Sequence, residues 1–133
     1  TRKVADFIGV MNFLPATILS EAGGKVEIEV QGFGRASIDA DQVSNSHDGA
    51  AAVGFRPETL TILYEGQTPL DREAPGIIEE VVYYGDMTYY DVKLDGVTEP
   101  VRISMRNVFG REVLERGART RVAWSSGALV LFR

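Results

Sequence analysis

Four tyrosines crowd one turn: Tyr83 and Tyr84 precede Gly85-Asp86, and Tyr89 and Tyr90 follow it. Rings gathered in this way could stack on a base, a sugar or an organic cation. Strand alternation places at most half of them on any one face, so about two of the four are expected in the core. Tyr84, Asp86 and Tyr90 are the hairpin's candidate contacts with a ligand or partner, and Gly85 is its turn residue. A second constellation is Arg56-Pro57-Glu58 at the head of an apolar run. Either Arg56 and Glu58 meet a partner beside that loop, or Pro57 fixes a bend and the two charges pair with neighbours. The pairs Glu79-Glu80 and Asp39/Asp41 offer carboxylates, but adjacent strand residues point to opposite faces. Glu79 and Glu80 are therefore not expected to share a substrate, and they read as solvated edges or partner contacts.

Other chemistries lack their residues. A phosphate-cradling loop needs G-x-x-x-x-G-K-[ST], because clustered N–H groups hold phosphates that Lys and a hydroxyl complete. Lys25 follows Gly24 but precedes Val26, and no glycine lies five residues before Gly24. Gly32-x-Gly34 has Ser37 where a dinucleotide fingerprint wants its third small residue, so it reads as a structural turn. His47 is the single histidine and lies in a polar loop, which excludes the multi-histidine sites of catalytic zinc. No G-x-S-x-G elbow is present. With no cysteine, thiolate catalysis, iron–sulfur clusters and disulfides are excluded, in keeping with a reducing cytoplasm.

Fourteen Lys and Arg against nineteen Asp and Glu give a net charge of −5, which opposes nucleic acid unless basic residues gather on one face. No apolar run approaches the roughly 20 residues of a membrane-spanning helix, and the first residues have no secretory-signal pattern. Membrane association is expected only through a partner.

The elements that must position these residues are short strands. Val4, Phe7 and Ile8 share one helical face, which predicts a short N-terminal helix ending near Gly9. Beyond Pro15 the period becomes two: Val26, Ile28 and Val30 alternate with Lys25, Glu27 and Glu29 after a Gly23-Gly24 turn. Leu60 and Ile62 resume the alternation, and the stretch from Glu65 to Pro75 reads as a joint between residues 1–66 and 67–133. Ile77–Tyr84 and Thr88–Leu94 form a hairpin about Gly85-Asp86. Strands follow over Val101–Met105, Arg119–Trp124 and Ala128–Phe132, the last two separated by Ser125-Ser126-Gly127. Many short strands with little helix predict an all-β fold of small antiparallel barrels with one short N-terminal helix. Barrels are preferred to open sheets because closure removes unpaired edges.

Several of these residues, in order, resemble one family. They are Val4-Ala5-Asp6-Phe7-Ile8-Gly9, Asn12-Phe13-Leu14, Arg56-Pro57-Glu58, Gly76, Tyr84-Gly85 and Gly117 shortly before Trp124. Together they are similar to the TOBE region of ABC importer ATPases, named for transport-associated oligonucleotide/oligosaccharide-binding-like domains, and the similarity spans nearly the whole chain. The segments Tyr84–Tyr90 and Arg106-Asn107 look most like subunits for spermidine and putrescine uptake.

The resemblance implies OB-type, MOP-like barrels behind a nucleotide-binding domain, with the two subdomains packed as one regulatory unit. It implies a non-catalytic regulatory and dimerisation role in a bacterial polyamine importer. The implied partners are an ATPase domain of the same polypeptide, a second copy of the subunit and membrane permease subunits, with no nucleic acid among them. It places the protein in the cytoplasm, peripheral to the inner membrane. ATP and Mg belong to the intact subunit; no cofactor and no metal are expected in this chain, which lacks the phosphate loop and reads as a fragment starting at Thr1. The alternative is an OB-type module binding a small cation or oxyanion, and the acidic balance favours the cation.

Overall fold

A computed structural model describes residues 11–44, 51–64, 66–68, 72–124, 127 and 129–133. The helix expected over 4–9, the histidine His47 and the serines of the Ser125-Ser126-Gly127 turn lie outside the described residues. The described chain is all-β. Its strands are β1 (Asn12–Ala22), β2 (Lys25–Val30), β3 (Gly34–Asp39), β4 (Val43–Ser44), β5 (Ala52–Phe55), β6 (Thr61–Leu63), β7 (Arg72–Tyr84), β8 (Met87–Leu94), β9 (Val101–Arg106), β10 (Arg119–Trp124) and β11 (Val130–Phe132). Two single-turn 3-10 helices, Ala40–Gln42 and Pro57–Thr59, accompany them.

The strands form two sheets, ordered β3-β2-β1-β5-β11-β4 and β6-β10-β7-β8-β9. In the first, Val26, Ile28 and Val30 are buried while Lys25, Glu27 and Glu29 are exposed, so hydrophobic alternation sets the register. Gly23 and Gly24, with φ of 59° and 78°, make the two-residue turn that pairs Ala22 with Lys25. β1 serves two partners, pairing with β5 through Asn12–Pro15 and with β2 from Ala16 onward. Pro15 stands at the change, where its missing N–H leaves no ladder donor unmet, and its carbonyl accepts from Gln31 N–H at 3.0 Å.

The second sheet is a meander of β7, β8 and β9 with β10 and β6 on the far side of β7. Its two edges, β6 and β9, touch, and the Pro57–Thr59 turn packs on β9, so the sheet curls back on itself as a small barrel. β7 begins at Arg72, five residues before the start expected from sequence. Ala74 is buried, and Pro75 pairs with Arg121 while its carbonyl accepts from Asp95 N–H at 3.0 Å. The end of the expected joint is thus strand, because Pro75 needs only its acceptor there.

The sheets exchange strands across residue 66. β6 pairs with β10, and β11 returns to pair antiparallel with β5 and parallel with β4. One continuous apolar core joins them, running from Val26, Ile28 and Val53 to Ile78, Tyr90 and Ile103. Phe33 stacks on Trp124 with ring centroids 4.2 Å apart, and Phe55 meets the same indole edge-on. Gly32 lies so close to Val97 that a Cβ would come within 2.7 Å of its Cγ2, so that turn seats directly on the β8–β9 loop.

Candidate functional site

The residues singled out from sequence fall in three places. Arg56, Pro57 and Glu58 form the crossover from β5 into the second sheet. Pro57 is buried and preset for the first position of its 3-10 turn, while Arg56 and Glu58 are exposed. Thr59 closes the turn, its N–H and Oγ1 donating to Arg56 O at 3.0 and 2.7 Å. Both charged groups are exposed and face outward from the bend that Pro57 sets.

Tyr84, Gly85 and Asp86 lie at the tip of the β7–β8 hairpin. Gly85 has φ of 63° and Asp86 is not among the positive-φ residues, the pattern of a turn with glycine at its first central position. Asp86 pairs with Arg106 Nη1 at 3.0 Å, and Asp86 O accepts from Asn107 N–H at 2.7 Å, which pins the tip to the end of β9. Tyr84 is 52% exposed.

Tyr90 is in the core, 1% exposed. Its hydroxyl accepts from Leu114 N–H at 3.2 Å, and burial pushes its pKa up to about 12. The phenol therefore stays protonated and anchors the 107–118 connection. The tyrosine cluster divides differently from the expected half: Tyr90 alone is fully buried, Tyr89 is half-buried, and Tyr83 and Tyr84 are exposed.

The site that strand alternation hid lies beside β7. The β7–β8 register slips between Ile78 and Glu80, which marks a bulge at Glu79. The cause is non-local: Ile78 N–H donates to Ala118 O at 2.9 Å, and Gly117 N–H donates to Ile78 O at 2.7 Å, so the turn before β10 grips the strand there. Because the bulge breaks the two-residue period, Glu79 and Glu80 line one cleft, with Asp91 across it and Arg116 and Gly117 at its wall. The two glutamates, expected on opposite faces of the strand, thus border the same cleft. The cleft encloses about 440 Å³.

Asp91 is the most withdrawn of its carboxylates. Burial raises its pKa, Arg102 opposes that rise, and the like charges of Glu80 and Glu79 add to it. Arg102 Nε donates to Asp91 Oδ1 at 3.1 Å. The main chain of Arg102 is held in turn by Asn12 of β1, whose Nδ2 donates to Arg102 O and whose Oδ1 accepts from Arg102 N–H, both at 2.7 Å. One side chain of the first sheet thus fixes the strand that carries the cleft's counter-ion. No group of three or more His, Asp or Glu among the described residues is arranged to hold a metal ion.

Two curled, mainly antiparallel sheets sharing one core, with a polar cleft beside β7, define a small β-barrel module. The chain belongs to the TOBE domain family, whose model matches residues 53–132. It is 31% identical over 97 residues to the spermidine/putrescine import ATP-binding protein PotA of Ruegeria pomeroyi, covering 73% of this chain and 25% of that protein. It is 36% identical over 98 residues to PotA of Pseudomonas aeruginosa, covering 71% and 26%. The chain thus spans about a quarter of the length of the curated relatives it matches. Among solved structures it is similar to the cytoplasmic molybdate-binding protein ModG with molybdate bound, at a TM-score of 0.67 and 13% identity, covering 93% of this chain and 96% of that one. At that identity the likeness is one of fold.

Proposed function

We propose that this chain is the non-catalytic regulatory and dimerisation region of the ATP-binding subunit of a bacterial ABC importer, and that the importer carries polyamines. The observation that carries the reading is the family match over 53–132, together with similarity to import ATP-binding proteins for spermidine and putrescine. ATP and Mg are held elsewhere in the same polypeptide, and the membrane permeases are reached through that part. The subunit sits at the cytoplasmic face of the inner membrane, and no described helix is long and apolar enough to cross a membrane. Subdomains 1–66 and 67–133 move as one unit, a reading supported by their exchanged strands and common core.

A regulatory module acts by making different contacts in two states of its ATPase. Exposed groups on rigid supports suit that task, and Arg56, Glu58, Tyr84 and Asp86 are such groups. The test is the ATPase rate of the assembled importer in proteoliposomes, with Arg56→Ala and Glu58→Ala introduced together in the full-length subunit. A several-fold change in basal or substrate-stimulated rate, with nucleotide affinity unchanged, supports the reading. An unchanged rate overturns the role of this bend. The chain alone is expected to show no ATPase activity, and saturable ATP binding in calorimetry would contradict that.

A second reading, a module that binds a small cation, is favoured by the joint exposure of Glu79, Glu80 and Asp91 to one cleft. Titration with spermidine, molybdate and a single-stranded oligonucleotide separates the readings. Spermidine binding that is lost in Glu79→Gln/Glu80→Gln supports the second, and silence toward all three leaves the first.

A further inference from the structure

The outer surface of the first sheet changes character halfway across. On β2 and β3 it carries Lys25, Glu27, Glu29, Arg35, Ser37 and Asp39, all exposed, as an antiparallel sheet facing water should. On β5, on β11 and on the part of β1 that pairs with β5, the outward positions are apolar instead. The register aligns Phe13 with Gly54 and Val130, and Pro15 with Ala52 and Phe132. Their inward neighbours Leu14, Val53 and Leu131 are already in the core, so this strip of sheet is apolar on both sides.

Gly54 makes the outer side flat. A Cβ there would fall 2.7 Å from Phe132 Cε2, 3.0 Å from Met11 Cε and 3.1 Å from Phe13 Cε1, so three side chains close over a bare backbone. Phe13 and Phe132 meet with centroids 5.7 Å apart, and Phe13 remains 52% exposed. An apolar cleft of about 380 Å³, lined by Pro15, Ala51, Val97 and Thr98, opens directly beside Phe13.

We propose that this face binds a second copy of the chain, Phe13 of each copy seating in the cleft beside Phe13 of the other. The inference rests on the reading of the chain as a dimerising module and adds the surface by which it dimerises. Two arguments select the occupant. A twofold interface needs a knob and its hole on one surface, and Phe13 and the adjacent cleft supply both. Each copy also carries a net charge of −5, so identical chains repel except where a face is uncharged, and the aligned positions Phe13, Pro15, Ala52, Gly54, Val130 and Phe132 bear no charge. A stable interface buries roughly 800 Å² per partner. The strip provides its aromatic centre and the cleft rim, with Glu99 at its edge, the polar margin. Association of the isolated chain is accordingly weak and visible at high concentration.

Sedimentation velocity across a hundredfold concentration range tests this on the wild type, Phe13→Asp and, on the exposed far end of β1, Leu19→Asp. The expected result is a concentration-dependent dimer in the wild type and in Leu19→Asp, weakened at least about tenfold in Phe13→Asp, the usual effect of losing one anchor. Circular dichroism confirms that the variant is folded, and the milder Phe13→Ser replaces it if Phe13→Asp does not fold. A wild type that stays monomeric throughout means that another occupant covers the face and overturns the proposal, while the importer's ATPase test still decides the regulatory reading. Equal dimerisation of wild type and both Phe13 variants also overturns it and leaves dimerisation itself standing.

Discussion

The carboxamide of Asn12 on β1 occupies the place of a missing strand beside β9, exchanging two hydrogen bonds of 2.7 Å with the main chain of Arg102. An amide side chain has one donor and one acceptor group in the geometry of a peptide unit, so it can complete a sheet edge that no backbone reaches. Asn12 is 6% exposed, so water cannot take over these bonds. The contact ties the first sheet to the strand whose side chain neutralises Asp91.

Asn12→Leu keeps the branching at Cγ and removes both bonds to the main chain of Arg102. The expected cost is about 1–3 kcal/mol, from two hydrogen bonds worth about 0.5–1.5 kcal/mol each. Urea denaturation measures it. A variant within about 0.5 kcal/mol of the parent, the usual range of neutral surface changes, would show that the two sheets hold together without this bridge.

At the hairpin tip, Gly85 has φ of 63° and open space where a Cβ would go. Gly85→Val therefore introduces conformational strain without a clash, and about 1 kcal/mol or more is expected from it. Gly76 is the opposite case: a Cβ there would come within 2.8 Å of both Lys93 O and Val92 Cγ1. Gly76→Ala is expected to cost more than Gly85→Val although alanine is the smaller side chain. Thermal denaturation of both variants gives the order, and the reverse order would mean that β7 and β8 separate more readily than their register suggests.

What the sequence made legible was local. Val26, Ile28 and Val30, or Val101, Ile103 and Met105, announce strands because burial every second residue leaves a period of two. The Gly85 turn was legible because its glycine lies between two β-branched and aromatic runs. The cleft was not, because the bulge at Glu79 arises where the turn at Gly117 hydrogen-bonds to Ile78, and no pattern within β7 records a neighbour that far along the chain. The role of Asn12 was hidden for the same reason, its partner lying 90 residues away. Pro75 read as a breaker because its missing N–H was visible in the sequence, while the ladder's need there for an acceptor alone was not.

The hydroxyl of Tyr90 holds the 107–118 connection through Leu114, a second hold coming from Tyr64 Oη, which donates to Glu112 O at 3.2 Å. Tyr90→Phe keeps the buried ring and removes one neutral hydrogen bond, so a loss of about 1 kcal/mol is expected. Amide hydrogen exchange should accelerate at Leu114 and in its neighbours while β8 stays protected. Uniform acceleration through β8 would show that the hydroxyl supports the core rather than the connection.

Asp91 has a sign opposite to that of most paired carboxylates. Its pKa lies above the usual 3.8 because burial outweighs the help of Arg102, so the folded protein binds the proton more tightly than the unfolded chain does. The stability that Asp91 contributes is complete below pH 3.8 and is lost as pH rises through the elevated folded value. Asp91→Asn removes the titration. The wild type should therefore gain on the variant as pH is lowered from 7 toward 3.8, and the gap should stop changing below that. Adding about 0.5 M salt should shrink the part due to Glu79 and Glu80, since their like charges act through solvent that ions screen, and leave the part due to burial. Urea midpoints of both proteins over this range settle the sign, and a wild type that loses ground on acidification would mean that the Arg102 pair, not burial, governs Asp91.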